Sequence, residues 1–130
     1  MTGYDVKISE ASRELSARER ISFKDLSNAV SLDSEIHDEA DRVIINPAAY
    51  CVLNVHNEHS KKEKDYQKFL VIDRGGTKFC TGSKSFFEAF LSIFNEMAEA
   101  APDEEYSVEV YKIPSKNYSG KYFLSCSLVP

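Results

Sequence analysis

The stretch that decides the fold is SFFEAFLSIFNEM, which occupies residues 85–97. Its apolar residues recur every three or four positions, as they do on one face of an α-helix: Phe87, Phe90, Leu91, Phe94 and Met97. Ser85 followed by Glu88 matches a capping box, in which the hydroxyl accepts from the N3 amide and the glutamate reaches back. Pro102 cannot continue a helix. The spacing therefore predicts one amphipathic helix over residues 85–100 that packs against a sheet.

Segments with the character of β-strands lie on both sides of this helix. Three precede it, at residues 48–56, 66–73 and 77–81, and two follow it, at residues 106–113 and 121–129. Three strands, a helix and two strands is the order of the OB-fold, a five-stranded Greek-key barrel with a helix between its third and fourth strands. We therefore predict a mainly β, OB-fold-like barrel. Because order alone does not fix topology, an open five-stranded sheet covered by one helix is the alternative.

Length and composition indicate one globular domain. The chain has 130 residues, of which 42% are hydrophobic and 28% are charged, values that fit a packed core. We predict a single domain over residues 1–130, in which the polar first 46 residues give the weakest pattern. No apolar run approaches the roughly 20 residues that span a bilayer, and the N-terminus lacks the apolar segment of a signal peptide. We therefore expect a cytoplasmic protein that does not bind a membrane.

The sequence carries no motif typical of catalysis or metal binding. Cys51, Cys80 and Cys126 lie far apart without a CxxC pair, so we expect them to be buried as small hydrophobic residues. His56 and His59 are three residues apart, but no cysteine or aspartate cluster accompanies them at ligand spacing. Neither the dinucleotide-binding nor the P-loop glycine motif occurs. We expect no enzyme activity, no cofactor and no metal site.

Charge is divided unevenly along the chain, whose net charge is −5. Residues 59–84 carry seven basic and three acidic side chains, and residues 110–130 carry three basic and no acidic ones. Residues 85–109 carry seven acidic and no basic side chains. An acidic protein that binds a polyanion needs a local basic surface, and the two basic stretches could supply it. The alternative is that these lysines only protect strand edges from pairing with other strands.

Both basic stretches interleave cations with aromatic residues. Such a mixture is typical of proteins that bind single-stranded nucleic acid, because the cations track the phosphates and the rings stack on the bases. We predict the following contact residues: Lys61, Lys62, Lys64, Tyr66, Lys68, Arg74, Lys78, Lys84, Lys112, Lys116, Asn117, Tyr118 and Lys121. For each aromatic residue among them, packing in the core is the competing interpretation.

Four segments carry a resemblance to a known class of proteins. They are LNVHNE at 53–58, KFCTGSKSFF at 78–87, IFNEM at 93–97 and SKNYSGKYFL at 115–124. These segments resemble small single-stranded DNA-binding proteins carried by bacteriophages and mobile elements of Gram-positive bacteria, and the likeness covers most of the chain. The resemblance implies an OB-fold module that binds single-stranded DNA without sequence preference during phage or mobile-element replication or recombination. It also implies replication or recombination proteins as partners and the cytoplasm of a bacterial host as the location.

A second function, from another class, stays open at this point. The chain could be a small acidic protein-binding module, such as a phage inhibitor of a host enzyme, with its acidic stretches as the working surface. The two hypotheses differ in where they expect the lysines of residues 59–84 and 110–130. Convergence of these lysines on one face favours DNA binding, and scatter favours protein binding. The sequence leaves self-association open.

The predicted hairpin tip around Tyr118 gives a first testable prediction. A tyrosine between Asn117 and Ser119 in a turn is expected to be exposed, where its ring can stack on a base. Tyr118→Ala should then weaken oligonucleotide binding by about 1–3 kcal/mol. Because surface substitutions usually change stability by no more than about 0.5 kcal/mol, the denaturation midpoint of this variant should be nearly unchanged. Unchanged affinity would remove Tyr118 from the site, and a large drop in the midpoint would place it in the core.

Overall fold

The structure is a computed structural model, which describes residues 4–59, 63–115 and 121–130. Within these residues, eight strands and three helices follow one another: β1 (Tyr4–Ala11), α1 (Ala17–Lys24), β2 (Val30–Ser31), α2 (Leu32–Glu35), β3 (Val43–Ile45), β4 (Pro47–Asn57), β5 (Asp65–Asp73), β6 (Lys78–Thr81), α3 (Lys84–Ala100), β7 (Val108–Pro114) and β8 (Tyr122–Leu128). The five strands and the long helix expected from the sequence correspond to β4–β8 and α3. No helix in the described part of the chain has the length and apolar character needed to span a membrane.

The strands form two separate sheets. Sheet A has the order β1-β4-β5-β6-β2, and all its pairings are antiparallel except that of β2 with β6. Sheet B has the order β3-β7-β8 and is antiparallel throughout. Strand is the most abundant structure, so the mainly β prediction is confirmed.

The predicted single five-stranded barrel is not what the described residues form, because the two sheets do not close on each other. The reason lies in the first 46 residues, whose strands the sequence pattern did not reveal. β1 pairs with the edge of β4 that faces away from β5, and β3 pairs with the edge of β7 that faces away from β8. These edges are therefore already hydrogen-bonded, and β4 cannot also pair with the C-terminal strands to complete a barrel.

Helix α3 packs its aromatic side chains into a core that both sheets share. Phe86 and Phe90 are completely buried. Phe87 stacks on Phe69 of sheet A with 4.3 Å between ring centroids, and its ring meets Tyr50 edge to face at 5.5 Å. Buried residues of sheet B, among them Val108, join the same cluster. The amphipathic helix predicted from the sequence is thus confirmed, and its apolar side packs against both sheets.

The start of α3 differs from the prediction in a detail of capping. Ser83 is the N-cap, and its hydroxyl accepts a hydrogen bond of 3.2 Å from the Phe86 amide. Ser85 lies within the helix and donates 2.8 Å to the carbonyl oxygen of Leu124 in β8. The predicted capping box at Ser85 is therefore wrong, because that hydroxyl joins the helix to sheet B instead.

A second core covers the opposite face of sheet A. It contains Leu53 and Leu70 from the central strands and Phe23 from α1. Cys51 and Cys80 lie here and Cys126 lies in the first core, so the prediction of three buried, unpaired cysteines is confirmed. Burial disfavours the thiolate and raises the pKa of Cys51 to about 12, as it does that of Cys126. These thiols are consequently unreactive as nucleophiles.

Truncation of an α3 phenylalanine tests the role of this core. Phe90→Ala should lower the free energy of unfolding by about 3–5 kcal/mol, because it removes a completely buried ring and leaves a cavity. Ile21→Ala on α1, where the side chain is 74% exposed, is the matched control and should leave the denaturation midpoint unchanged. Equal midpoints for the two variants would contradict the placement of Phe90 in the core.

Candidate nucleic-acid interface

The described cations of the predicted site do not share a face. Lys78 reaches across sheet A to the end of α1, where its ammonium group donates to the carbonyl oxygens of Ser22 at 2.8 Å and Asp25 at 2.7 Å. A cation bonded to the last carbonyls of a helix satisfies groups that the helix itself leaves unpaired. Lys78 therefore has a structural role. Lys64 pairs with Glu58 at 3.2 Å in the turn after β4.

The other described candidates point in different directions. Tyr66 packs against the core on the α1 side of sheet A, and Lys68 follows two residues later on the same side of β5. Arg74 lies in the turn after β5 and donates 3.3 Å to the carbonyl oxygen of Tyr106. Lys84 begins α3 on the opposite side of sheet A, and it is exposed. The cations around sheet A are thus scattered.

The remaining candidates belong to the C-terminal strands or to undescribed residues. Lys112 lies in β7, and Lys121 is exposed immediately before β8. Both are in or beside sheet B. Five candidates fall outside the described residues and stay predictions from the sequence: Lys61, Lys62, Lys116, Asn117 and Tyr118.

Sheet B presents a face to solvent that the sequence argument did not identify as a site. Because side chains alternate along a strand, burial of Val108 and Val110 turns the intervening residues of β7 outward. In β8, burial of Leu124 and Cys126 has the same effect. We call the resulting surface the outer face of sheet B, and it consists of Arg42, Ile44, Glu109, Tyr111, Ile113, Phe123, Ser125 and Ser127.

Two aromatic rings and one cation dominate the outer face of sheet B. The Arg42 guanidinium carbon lies 5.0 Å from the centre of the Tyr111 ring, within range of a cation–π interaction. The Arg42 Nε atom donates 3.1 Å to Glu109, so this carboxylate is neutralised where it stands on the face. Phe123, which pairs with Ile113 across the strands, keeps 40% of its surface exposed.

The hydroxyl groups of this face are arranged beside the rings. Ser125 lies directly opposite Tyr111 in the register of β7 and β8. Ser127, one pair further along on the same side, shares a hydrogen bond with the Tyr111 hydroxyl. This bond and the Arg42 contact hold the Tyr111 ring in place. The face therefore combines a fixed ring, an exposed ring, polar hydroxyls and a guanidinium group, which is the chemistry of a stacking platform for bases.

A groove over sheet A is the main alternative location for a site. It has a volume of about 560 Å³ and runs across the ends of β1, β4 and β5. His56 at its centre bonds Asp65 through Nδ1 at 2.7 Å and Glu58 through Nε2 at 2.6 Å. Asp5 pairs with His56 in the register of β1 and β4. Lys7 lies 3.9 Å from Asp5 and Lys64 pairs with Glu58, so the cations here do not outnumber the three carboxylates around His56. Without a net positive charge, this groove is poorly suited to a nucleic-acid backbone.

Arg42 and Tyr111 are the residues of this face that the sequence argument missed, whereas Phe123 belongs to the second stretch of basic and aromatic residues but was not among the predicted contacts. Strict alternation along the predicted strand 106–113 puts Val108 and Val110 on one side and Tyr111 on the other. Arg42 had no such signal, because its contact with Tyr111 joins residues 69 positions apart through β3, which was not predicted. Comparison of the chain with protein-family models, curated proteins and solved structures gave no match in any of the three.

The carboxylates around His56 predict a dependence of stability on pH. Hydrogen bonds to Asp65 and Glu58 raise the pKa of His56 above its ordinary value, since they favour the protonated ring. The stabilisation from a raised histidine pKa is fully present below the ordinary pKa and is lost as the pH rises through the folded-state value. His56→Gln should therefore lower the denaturation midpoint in mild acid and have a shrinking effect towards alkaline pH.

The control for this prediction is His59→Gln in the same turn. Chemical denaturation of the parent protein and both variants across a pH series measures the effect. A difference between the parent protein and His56→Gln that stays constant with pH would contradict the charge network around His56.

Proposed function

We propose that this protein binds single-stranded DNA without sequence preference, and that the outer face of sheet B is its contact surface. The observation that carries the proposal is an open sheet face on which Tyr111 lies beside the Arg42 guanidinium and Phe123 is 40% exposed. Proteins that bind single strands combine such rings with cations in this way. In keeping with the resemblance of the sequence, binding would serve phage or mobile-element replication or recombination in the cytoplasm of a bacterial host.

The chemistry of this face fits binding that ignores base identity. Every base has a π-face, so stacking on Tyr111 and Phe123 tolerates any sequence. Arg42 bonds Glu109 and the carbonyl oxygens of Glu39 and Asp41, so its role is to hold the Tyr111 ring in place. Ser125 offers a hydroxyl group beside the rings. Lys121 is exposed immediately before β8, two residues from Phe123, and can extend the path of the backbone. The predicted contacts of residues 116–118 belong to the connection between the same two strands.

Most of the acidic stretch 85–109 lies away from this face, whereas Asp38, Glu39 and Asp41 precede Arg42 at its edge. Helix α3 and the residues after it carry most of the acidic stretch 85–109, and α3 packs on the inner side of sheet B. Sheet B thus separates these acidic side chains from a DNA strand bound on the outer face. The likeness to OB-fold modules remains an inference from the sequence. Stacking of bases on a sheet requires an open sheet face and does not require a closed barrel.

The second candidate is the acidic protein-binding module or inhibitor of a host enzyme. The observation that favours it is the scatter of the described cations around sheet A, where Lys78 caps a helix and Lys64 is paired with Glu58. Under this hypothesis the outer face of sheet B would contact a protein. Titration with an oligonucleotide separates the two hypotheses, because only the first requires affinity for DNA.

Binding of fluorescein-labelled oligo-dT, measured by anisotropy, tests the proposed function. Affinity should fall as salt rises, by about 0.7 log units per log unit of salt for each phosphate contacted on a single strand. Lys121→Gln should reduce that slope by about one such contact, because Lys121 is exposed beside the outer face of sheet B. Absence of binding at low salt, or affinity that salt does not change, would exclude the proposal.

Substitution of the exposed ring locates the contact surface. Phe123→Ala should weaken oligo-dT binding by about 1–3 kcal/mol, because one stacking surface is removed. Ile21→Ala on α1 also trims an exposed apolar side chain and should bind as the parent protein does. The denaturation midpoints of both variants serve to confirm that each is folded. Parental affinity in a folded Phe123→Ala would move the site away from the outer face of sheet B.

A further inference from the structure

We propose that a groove beside the C-terminal half of α3 binds a segment of a partner protein that offers an apolar side chain flanked by lysine or arginine. Three adjoining concavities meet at Met97, with volumes of about 300, 450 and 240 Å³. Leu128 lines two of them, and Ile93 and Tyr106 extend the apolar floor. This inference goes beyond DNA binding and does not depend on it.

The floor of the groove is apolar for a reason that lies in the fold. The apolar stripe of α3 continues past Phe90 to Ile93, which packs against the margin of the first core, and to Met97. Both side chains are only half-buried. Leu128 ends β8 beside them and remains 45% exposed. Methionine adapts its shape to different partners, so a floor centred on Met97 suits a docking surface.

The rim of the groove is acidic and selects the charge of the partner. Four carboxylates line the three concavities: Glu96, Asp103, Glu104 and Glu105. One cation lines them among the described residues, and this Arg74 lies 3.9 Å from Glu105. The remaining negative charge complements a basic segment, because opposite potentials across an interface attract and like potentials repel.

The same charges exclude nucleic acid from the groove. A polyanion would meet the carboxylates of the rim at close range, whereas a lysine-flanked apolar segment gains both burial and ion pairing. The groove lies along the C-terminal half of α3, and the aromatic platform lies on the far side of sheet B from that helix. A partner seated in the groove and a strand on the outer face can therefore be bound together.

A set of three labelled peptides tests the inference. The first has central leucine and phenylalanine residues flanked by lysines, the second has glutamates in place of the lysines, and the third has serines in place of the apolar residues. Anisotropy should show the first peptide binding at least about tenfold more tightly than either of the others, a difference of about 1.4 kcal/mol. Equal affinity for the first two peptides, or no binding of the first, would overturn the inference.

Substitutions in the groove locate the binding of the first peptide. Leu128→Lys places a positive charge on the apolar floor and should lower the affinity for that peptide by about tenfold or more. Ile21→Lys adds the same charge at an exposed position on α1 and is the matched control. Glu104→Lys combined with Glu105→Lys reverses part of the charge of the rim and leaves the apolar floor intact. This double variant should also have a lower affinity for the first peptide. Parental peptide affinity in both groove variants would overturn the assignment.

Oligo-dT titration of the same variants separates this inference from the proposed function. Leu128→Lys should keep its oligo-dT affinity, because Leu128 lies on the groove side of sheet B and not on the outer face. Lost peptide binding with retained DNA binding supports the groove. Absent peptide binding in a parent protein that binds oligo-dT overturns the groove inference alone.

Discussion

Burial of the α3 phenylalanines is the interaction on which the rest of the structure depends. Phe86 and Phe90 have no exposed surface, and Phe87 stacks on Phe69 of sheet A. Full burial of a side chain of this kind contributes about 1.5–3 kcal/mol. Ser85 adds a directional contact, since its hydroxyl bonds the backbone of β8. The helix therefore fixes where sheet B lies relative to sheet A, although the two sheets share no strand.

This arrangement decides which surfaces stay available for binding. The inner face of sheet B is used by α3, so its alternating side chains leave Tyr111 and Phe123 on the other side. Sheet A is covered on both faces, by α3 on one and by α1 on the other. The contact of Lys78 with the end of α1 follows from that second layer, because the strand position of Lys78 points towards it. A basic residue in a strand was consequently part of the packing and not of a basic patch.

The central and C-terminal elements could be predicted from the sequence because each pattern reports directly on burial. β4 has a long apolar run that is buried on both faces of sheet A, and α3 repeats its apolar residues at helical spacing. The N-terminal strands could not be predicted. β1 is an edge strand with one face exposed and a register shift between Ile8 and Glu10, and β2 has two residues. The barrel prediction failed because these edge strands were missing from it.

The residues of the proposed site could likewise be predicted from the sequence only in part. Residue types could indicate stacking and phosphate contact, but which cations converge depends on pairings between distant segments. Lys78 meets α1 across more than fifty positions, and Arg42 meets Tyr111 across an even larger separation. Local composition carries no trace of such contacts. Alternation in β7, by contrast, is local, and it is sufficient to turn Tyr111 to the surface.

The division of charge across the fold gives this small protein two surfaces of different chemistry. Seven carboxylates with no cation between them would weaken any polyanion site in their neighbourhood. Most of them lie on α3 and the residues after it, whereas Glu109 stands on the outer face of sheet B and is held by Arg42. The carboxylate of this stretch that stands on the proposed DNA-binding face is thus paired with a cation. Four of the others, Glu96, Asp103, Glu104 and Glu105, line the apolar groove at Met97, where their charge would complement a basic partner.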